Sequence, residues 1–186
     1  DLVLGVGGYI MAPTVLAAWS LGIRRAIHEA NVSPGLANRL CARVADLVLL
    51  TYDATRSRLP TPAEVHTVGC PVNPKVLQGD RSEARARYGL EPDAPVVLLV
   101  GGSLGAAALN TLAITAAHLP DRTWQLLWIT GPRYHQAALA ELGDVPSGVV
   151  VVDYEDRMAD AYAASDLVVA RAGSSTLAEL TALGMP

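Results

Sequence analysis

The stretch VVLLVGGSLGAAALN, residues 96–110, decides the fold class. Val96–Val100 is an unbroken apolar run without polar alternation, the pattern of a strand covered on both faces. Gly101 and Gly102 end it, and the apolar, alanine-rich segment from Ala106 to His118 reads as a helix. A buried strand, a glycine turn and a helix make one unit of a parallel α/β sheet.

The same alternation continues outward on both sides. After the first unit come a strand at Trp124–Thr130, a helix at Tyr134–Leu142, a strand at Val149–Val152, a helix at Asp156–Ala164, a strand at Leu167–Ala170 and a helix at Thr176–Leu183. Nearer the start, Leu2–Val6 reads as a strand and Pro13–Leu21 as a helix, with Pro in its first turn and Gly22 just past its end. Strands follow at Arg25–His28, Leu47–Thr51 and Glu64–Val68, and a helix at Leu36–Ala45. The segment Val3–Tyr9 echoes Val97–Ser103: both are strands that run into a Gly-Gly pair.

Between the two halves the character changes. Residues Gly69–Pro95 hold Pro71, Pro74, Pro92 and Pro95 around a short charged helix at Ser82–Tyr88. That composition marks a connection between domains. The expected architecture is two Rossmann-like, doubly wound parallel-sheet domains, residues 1–72 and 73–186. Their echoed glycine turns are expected to open onto a shared cleft, because ligands of such sheets bind beyond the carboxyl ends of the strands.

Composition narrows the function. Of the 186 residues, 51% are apolar and 17% charged, enough for a sizeable core. The net charge of −4 argues against a nucleic-acid binder. The charge is uneven, with six arginines against five acids up to residue 72 and an acidic excess after it. Cys41 and Cys70 form no CxxC pair, and the four histidines are scattered, so no metal spacing is present and both cysteines read as reduced thiols. Leu2–Ile23 and Val96–Leu119 lack charged residues and are long enough to span a bilayer, but each reads as strand, glycine turn and helix.

Three places can carry chemistry. Gly101–Gly105 and Arg171–Glu179 are both strand-to-helix turns, where backbone N–H groups attract phosphate. The hydroxyls of Ser174, Ser175 and Thr176 can cap the second helix or hold a diphosphate, and Glu179 falls near the same helix start, where it either complements the dipole or meets a ligand. His28, Glu29 and Asn31 place three polar side chains at a strand's carboxyl end, ahead of Pro34-Gly35. Asp153, Glu155 and Asp156 form an acidic loop without a DxD pair, and Asp156 is expected to cap the following helix. His66, His118 and His135 have no partner at an informative spacing and are expected at the surface or at edges.

Taken together, GVGGYIMAP (5–13), HEANVSPGLANR (28–39), TVGCPV (67–72), VGGSLGAAALN (100–110), YEDRMADAYAASDLVVARAGSSTLAEL (154–180) and ALGMP (182–186) resemble the bacterial peptidoglycan N-acetylglucosaminyl transferase family. The resemblance implies the two-domain GT-B fold and an internal fragment of it: the later part of an acceptor-binding domain, then most of a UDP-sugar-binding domain. It implies an inverting hexosyltransferase of cell wall synthesis. Such an enzyme moves N-acetylglucosamine from UDP-N-acetylglucosamine to undecaprenyl-diphospho-muramoyl-pentapeptide, with no cofactor and no obligatory metal.

By the same resemblance, Ser103, Glu155 and Ser174, Ser175, Thr176, Leu177, Ala178 and Glu179 are donor-binding, with Glu179 on the ribose hydroxyls and Asn31 reaching the sugar. Gly7, Gly8 and Tyr9 receive the acceptor's diphosphate. The family's proposed catalytic base lies before this chain, so no residue here is assigned that role, and the isolated fragment is expected to be inactive.

Departures stand at Leu104, where the family has Gln, at Cys70 and Asn73, where it has Asn and Arg, at Glu155, where it has an apolar residue whose backbone reads uracil, and at Met11, where Ser is common. A lipid-linked acceptor implies peripheral contact with the cytoplasmic face of the membrane, for which Arg24, Arg25 and the apolar residues Tyr9–Ala12 are candidates. The competing readings are another GT-B enzyme, such as a glycolipid synthase or a UDP-sugar epimerase, and a non-catalytic nucleotide-binding paralogue.

Overall fold

The computed structural model describes all 186 residues and divides into two units, Asp1–Pro71 and Val72–Pro186. Each is a four-stranded, wholly parallel sheet with helical crossovers.

In the first unit β1 (Leu2–Gly5), β2 (Arg24–Glu29), β3 (Leu47–Leu50) and β4 (Glu64–Thr67) lie side by side in chain order. Helices α1 (Met11–Ser20) and α2 (Leu36–Cys41) make the first two crossovers. Side chains alternate between the sheet's faces. Ile27, Val48 and Leu50 accordingly face Met11 and Val15 of α1 and Cys41 of α2 in one buried cluster. On the opposite face Leu2 and Leu4 are exposed.

In the second unit α3 (Arg81–Tyr88) precedes β5 (Val96–Val100), and β6 (Gln125–Ile129), β7 (Val149–Val152) and β8 (Leu167–Ala170) follow. The spatial order is β7-β6-β5-β8. The chain therefore steps one way from β5 to β7 through α4 (Ala107–Ala117) and α5 (His135–Leu142), then returns through α6 (Met158–Ala164) to the other side of β5. Leu99, Leu126 and Trp128 pack against α4 and α5 on one face. Leu98, Val100, Leu127 and Ile129 pack against Ala84 of α3 and Ala161 and Tyr162 of α6 on the other. Helices on both faces explain the unbroken apolar strands. Trp128 is buried with its indole N–H satisfied, donating to Asn110 Oδ1 at 2.9 Å.

Several boundaries differ from the sequence reading. The helix expected to reach Ala45 ends at Cys41, because the chain tightens into three-residue turns, Arg43 N–H to the Leu40 carbonyl and Val44 N–H to that of Cys41. Helix α6 starts at Met158, two residues later than expected. Two 3-10 segments, Asp53–Arg58 and Pro74–Gln78, fall where no element was expected. The last helix, α7, spans Ser174–Leu183.

Candidate functional site

The point where the strand order reverses lies between β5 and β8, whose carboxyl ends are neighbours: Val100 pairs with Ala170. In open α/β sheets ligand crevices form at that switch point. The two glycine turns read from the sequence follow these two strands, so the fold brings them together. Gly101, Gly102, Ser103, Leu104 and Gly105 line one cavity of about 390 Å³ with Arg171, Ala172, Gly173 and Thr176.

The glycines of the first turn divide by role. A Cβ on Gly105 would meet the Thr130 carbonyl at 2.2 Å, so that glycine permits close packing. Gly102 has φ +84° with nothing within 4 Å of a Cβ, so it gives the turn its left-handed step on the open side.

A second cavity of about 300 Å³ adjoins the first, sharing Gly102, Ser103 and Thr176 and adding Ile129, Tyr154, Glu155, Met158, Tyr162, Ser175 and Glu179. A third, of about 430 Å³, shares Met158 and Glu179 and adds Asn73, Lys75 and Arg157. The expected residues Ser103, Glu155, Ser175, Thr176 and Glu179 therefore line neighbouring cavities that share walls. Ser174, Leu177 and Ala178 sit in the first turn and a half of α7 and line none of these three cavities.

Four expectations are corrected. The cap residue of α7 is Gly173, and Ser174, Ser175 and Thr176 lie inside the helix rather than at its cap position. Asp156 does not cap α6; the cap position is Arg157, and Glu155 Oε1 accepts its N–H at 2.7 Å. Glu179 is the sixth residue of α7, beyond the free N–H groups of the first turn, so complementing the helix end is not its role. It accepts instead from the buried Tyr162 hydroxyl at 2.8 Å. Burial, reinforced by this hydrogen bond, pushes the Tyr162 phenol well above its ordinary range. Finally, Arg25 is not a surface cation. It is folded onto Asp46 at 2.5 Å and onto the carbonyls of Val44 and Ile23.

Arg24 and Arg25 also begin β2, opposite Leu2 and Val3, whereas Tyr9–Ala12 follow the far end of β1. A four-residue strand at about 3.3 Å per residue separates the two groups.

The first unit has its own cavity, about 540 Å³, lined by Gly7, Gly8, Tyr9, Glu29, Asn31, Gly35, Leu36 and Asn38 among others. Gly7, Gly8, Tyr9 and Asn31 are thus brought together. Glu29, fully buried, organises the rim. Its carboxylate accepts from the Asn31 N–H at 2.9 Å, Asn31 Nδ2 at 3.1 Å, the Gly35 N–H at 2.9 Å and Asn38 Nδ2 at 2.7 Å. His28 is buried beside it, its Nε2 3.0 Å from the Gly69 carbonyl and 3.3 Å from Thr51 Oγ1. His66 pairs with Glu64 at the surface. Both cysteines are free. No helix is long and apolar enough to cross a membrane.

Sequence reasoning missed Tyr162 and Asn38, because a tyrosine in an alanine-rich helix and an asparagine in a short one carry no local signal of what they meet. Asn73 caps the second 3-10 segment by accepting from the Lys75 N–H at 3.1 Å. Lys75 and Arg157 supply positive charge in the cavity that Glu179 borders.

Two family models match the chain: the glycosyltransferase family 28 N-terminal domain over residues 1–50, and the glycosyltransferase family 28 C-terminal domain over residues 96–186. Among curated relatives, the UDP-N-acetylglucosamine--N-acetylmuramyl-(pentapeptide) pyrophosphoryl-undecaprenol N-acetylglucosamine transferase of Frankia casuarinae is 43% identical, covering all of this chain and 50% of the relative. The protein of the same name from Moorella thermoacetica is 38% identical, covering all of this chain and 52% of the relative. The crystal structure of MurG from Acinetobacter baumannii superposes with a TM-score of 0.68 at 33% identity, over 99% of this chain and 50% of that one. The chain thus spans about half the length of these relatives, and its two parallel-sheet units have the GT-B arrangement of strands and helices.

Proposed function

This chain belongs to glycosyltransferase family 28, and on that footing we propose that it carries the donor site and part of the acceptor site of an N-acetylglucosaminyl transferase. The donor is UDP-N-acetylglucosamine and the acceptor undecaprenyl-diphospho-muramoyl-pentapeptide, the substrates in the names of its relatives. The observation that carries the donor assignment is the convergence of both glycine turns on Glu179. Backbone N–H groups at the starts of two helices favour a diphosphate. A carboxylate beyond them, oriented by Tyr162, suits the two hydroxyls of a ribose. Ser103, Ser175 and Thr176 add hydroxyl donors between the two.

The acceptor's diphosphate is assigned to the Gly7-Gly8-Tyr9 turn, where both glycines have positive φ and the 540 Å³ cavity opens. Tyr9, Ile10 and Leu36 are exposed around it, and Arg39 stands exposed on the same short helix as Leu36. We assign peripheral membrane contact to this apolar rim in place of Arg24 and Arg25, since apolar insertion combined with a nearby cation is what holds a protein on an anionic bilayer.

The test is product analysis. The full-length protein should transfer N-acetylglucosamine from its UDP donor to the undecaprenyl-diphospho-muramoyl acceptor and leave diacylglycerol untouched. Transfer to diacylglycerol, or epimerisation of the donor without transfer, would overturn the reading. This chain alone is expected to bind donor and not to turn over.

A further inference from the structure

Beside the 300 Å³ cavity lies a charge network centred on Glu155, and the donor reading leaves two of its members, Arg87 and Tyr88, unused. Glu155 stands in the loop between β7 and α6, and only 2% of its side chain is exposed. The carboxylate accepts from the Tyr88 hydroxyl at 2.7 Å, from Arg87 at 2.9 Å and from the Arg157 N–H at 2.7 Å. Arg87 also pairs at 2.9 Å with Asp160, a buried acid in the first turn of α6.

Arg87 and Tyr88 are the last two residues of α3, and neither lines the cavity. Helix α3 is itself fixed. Arg81 and Arg85 pair with Asp166 at 2.6 and 2.9 Å, and the buried Arg85 donates to the carbonyls of Ala164, Glu91 and Ala94. A helix locked to the sheet thus extends two donors to one loop carboxylate.

Burying a carboxylate costs free energy that its partners largely offset, so such a group contributes placement more than net stability. Here it places a loop that borders the cavity. The Glu155 side chain is occupied by α3, while its backbone N–H and carbonyl take no part in the chain's own backbone hydrogen bonds.

We propose, resting on the donor reading above, that Arg87 and Tyr88 are positioning residues for nucleobase recognition. By holding Glu155 they fix the loop backbone so that its N–H and carbonyl meet the edge of a uracil ring. Uracil offers a carbonyl acceptor beside a ring N–H donor. Cytosine offers an amine donor beside a bare ring nitrogen, the reverse pattern, so a rigid backbone pair discriminates between them. A slack loop would accommodate both.

The experiment measures the Kd of UDP and of CDP by calorimetry for the full-length protein and for Arg87→Gln, Arg87→Lys and Tyr88→Phe. The natural protein should prefer UDP by about tenfold or more, the scale of a well-placed hydrogen-bond pair. Arg87→Gln and Tyr88→Phe should lower that preference at least threefold, chiefly by weakening UDP, and Arg87→Lys should keep an intermediate preference. Tyr88→Phe leaves its ring in the core, so it decides the matter if Arg87→Gln fails to fold. A network serving only stability would lower the unfolding temperature and leave the UDP-to-CDP ratio unchanged, and that result overturns the proposal. Equal binding of UDP and CDP by the natural protein overturns it too, while sparing the diphosphate and ribose assignments. Binding of neither removes the donor reading itself.

Discussion

The Tyr162 hydroxyl donates to Glu179 Oε2 at 2.8 Å, tying α6 to α7 across the carboxyl end of the second sheet. The tyrosine is buried and the glutamate half-buried, so the hydrogen bond orients a carboxylate that still borders two cavities. A charge-complementing role at the helix end is ruled out by position, because no acid lies in the first turn of α7.

Glu179→Gln is therefore expected to weaken UDP-sugar use about tenfold or more, since each charge-assisted hydrogen bond to a ribose hydroxyl contributes about 1.5–3 kcal/mol. The amide oxygen still accepts from Tyr162, so the unfolding free energy should fall by no more than about 1 kcal/mol. A 2′-deoxyribose donor should be poor for the natural protein and relatively better tolerated by the variant. Steady-state kinetics with both donors checks this; unchanged donor use with reduced stability would refute the ribose assignment.

Leu104 is 74% exposed and lines the cavity between the two glycine turns. An exposed leucine there offers a diphosphate nothing, whereas an amide offers a donor. Leu104→Gln is expected to tighten UDP-N-acetylglucosamine binding about tenfold, the lower end for one hydrogen bond to a charged group, since this one is exposed. Stability should change by less than about 0.5 kcal/mol, as at other exposed sites. Titration calorimetry and chemical denaturation read the two quantities separately.

Glu29 accepts four N–H donors that fold the loop from Asn31 to Asn38 around the first unit's cavity. Glu29→Gln removes the charge and turns one accepting atom into a donor that faces other donors. The expected cost is about 1.5–3 kcal/mol of stability. Acceptor KM should rise, which an acceptor titration at fixed donor concentration would reveal.

Acid sensitivity should trace in part to Glu155. Burial pushes its carboxyl up, but the Tyr88 hydroxyl, the Arg157 N–H and the Arg87 guanidinium together outweigh that and hold it below the ordinary range. A carboxyl depressed in the folded state stabilises the protein above its unfolded value, and that contribution disappears as pH falls through the folded value. The window is thus below about pH 4.5, the ordinary value for this group. Denaturation of the natural protein and of Glu155→Gln across that range should show a shallower acid decline for the variant. Parallel declines would assign the sensitivity elsewhere, with Asp166, which the Val96 N–H and then Arg81 and Arg85 hold low against the upward push of burial, the next group to test.

The sequence by itself determined the elements and their class. β-Branched and leucine runs at Val96–Val100 and Val149–Val152 cannot sit exposed, and glycine pairs at strand ends leave few turns to choose from, so strand, turn and helix follow from local chemistry. The motifs around Gly101–Gly105 and Arg171–Glu179 were legible for the same reason, since their residues are contiguous. Only the tertiary structure decided that those two turns are neighbours, because the return of β8 to the far side of β5 depends on a crossover and on packing across both faces. It also decided that Glu155 turns toward α3, that Arg25 is spent on Asp46, and that Tyr162 reaches Glu179. A side chain's partner in these cases lies between seventeen and sixty-eight residues away, a distance over which local propensity carries no information.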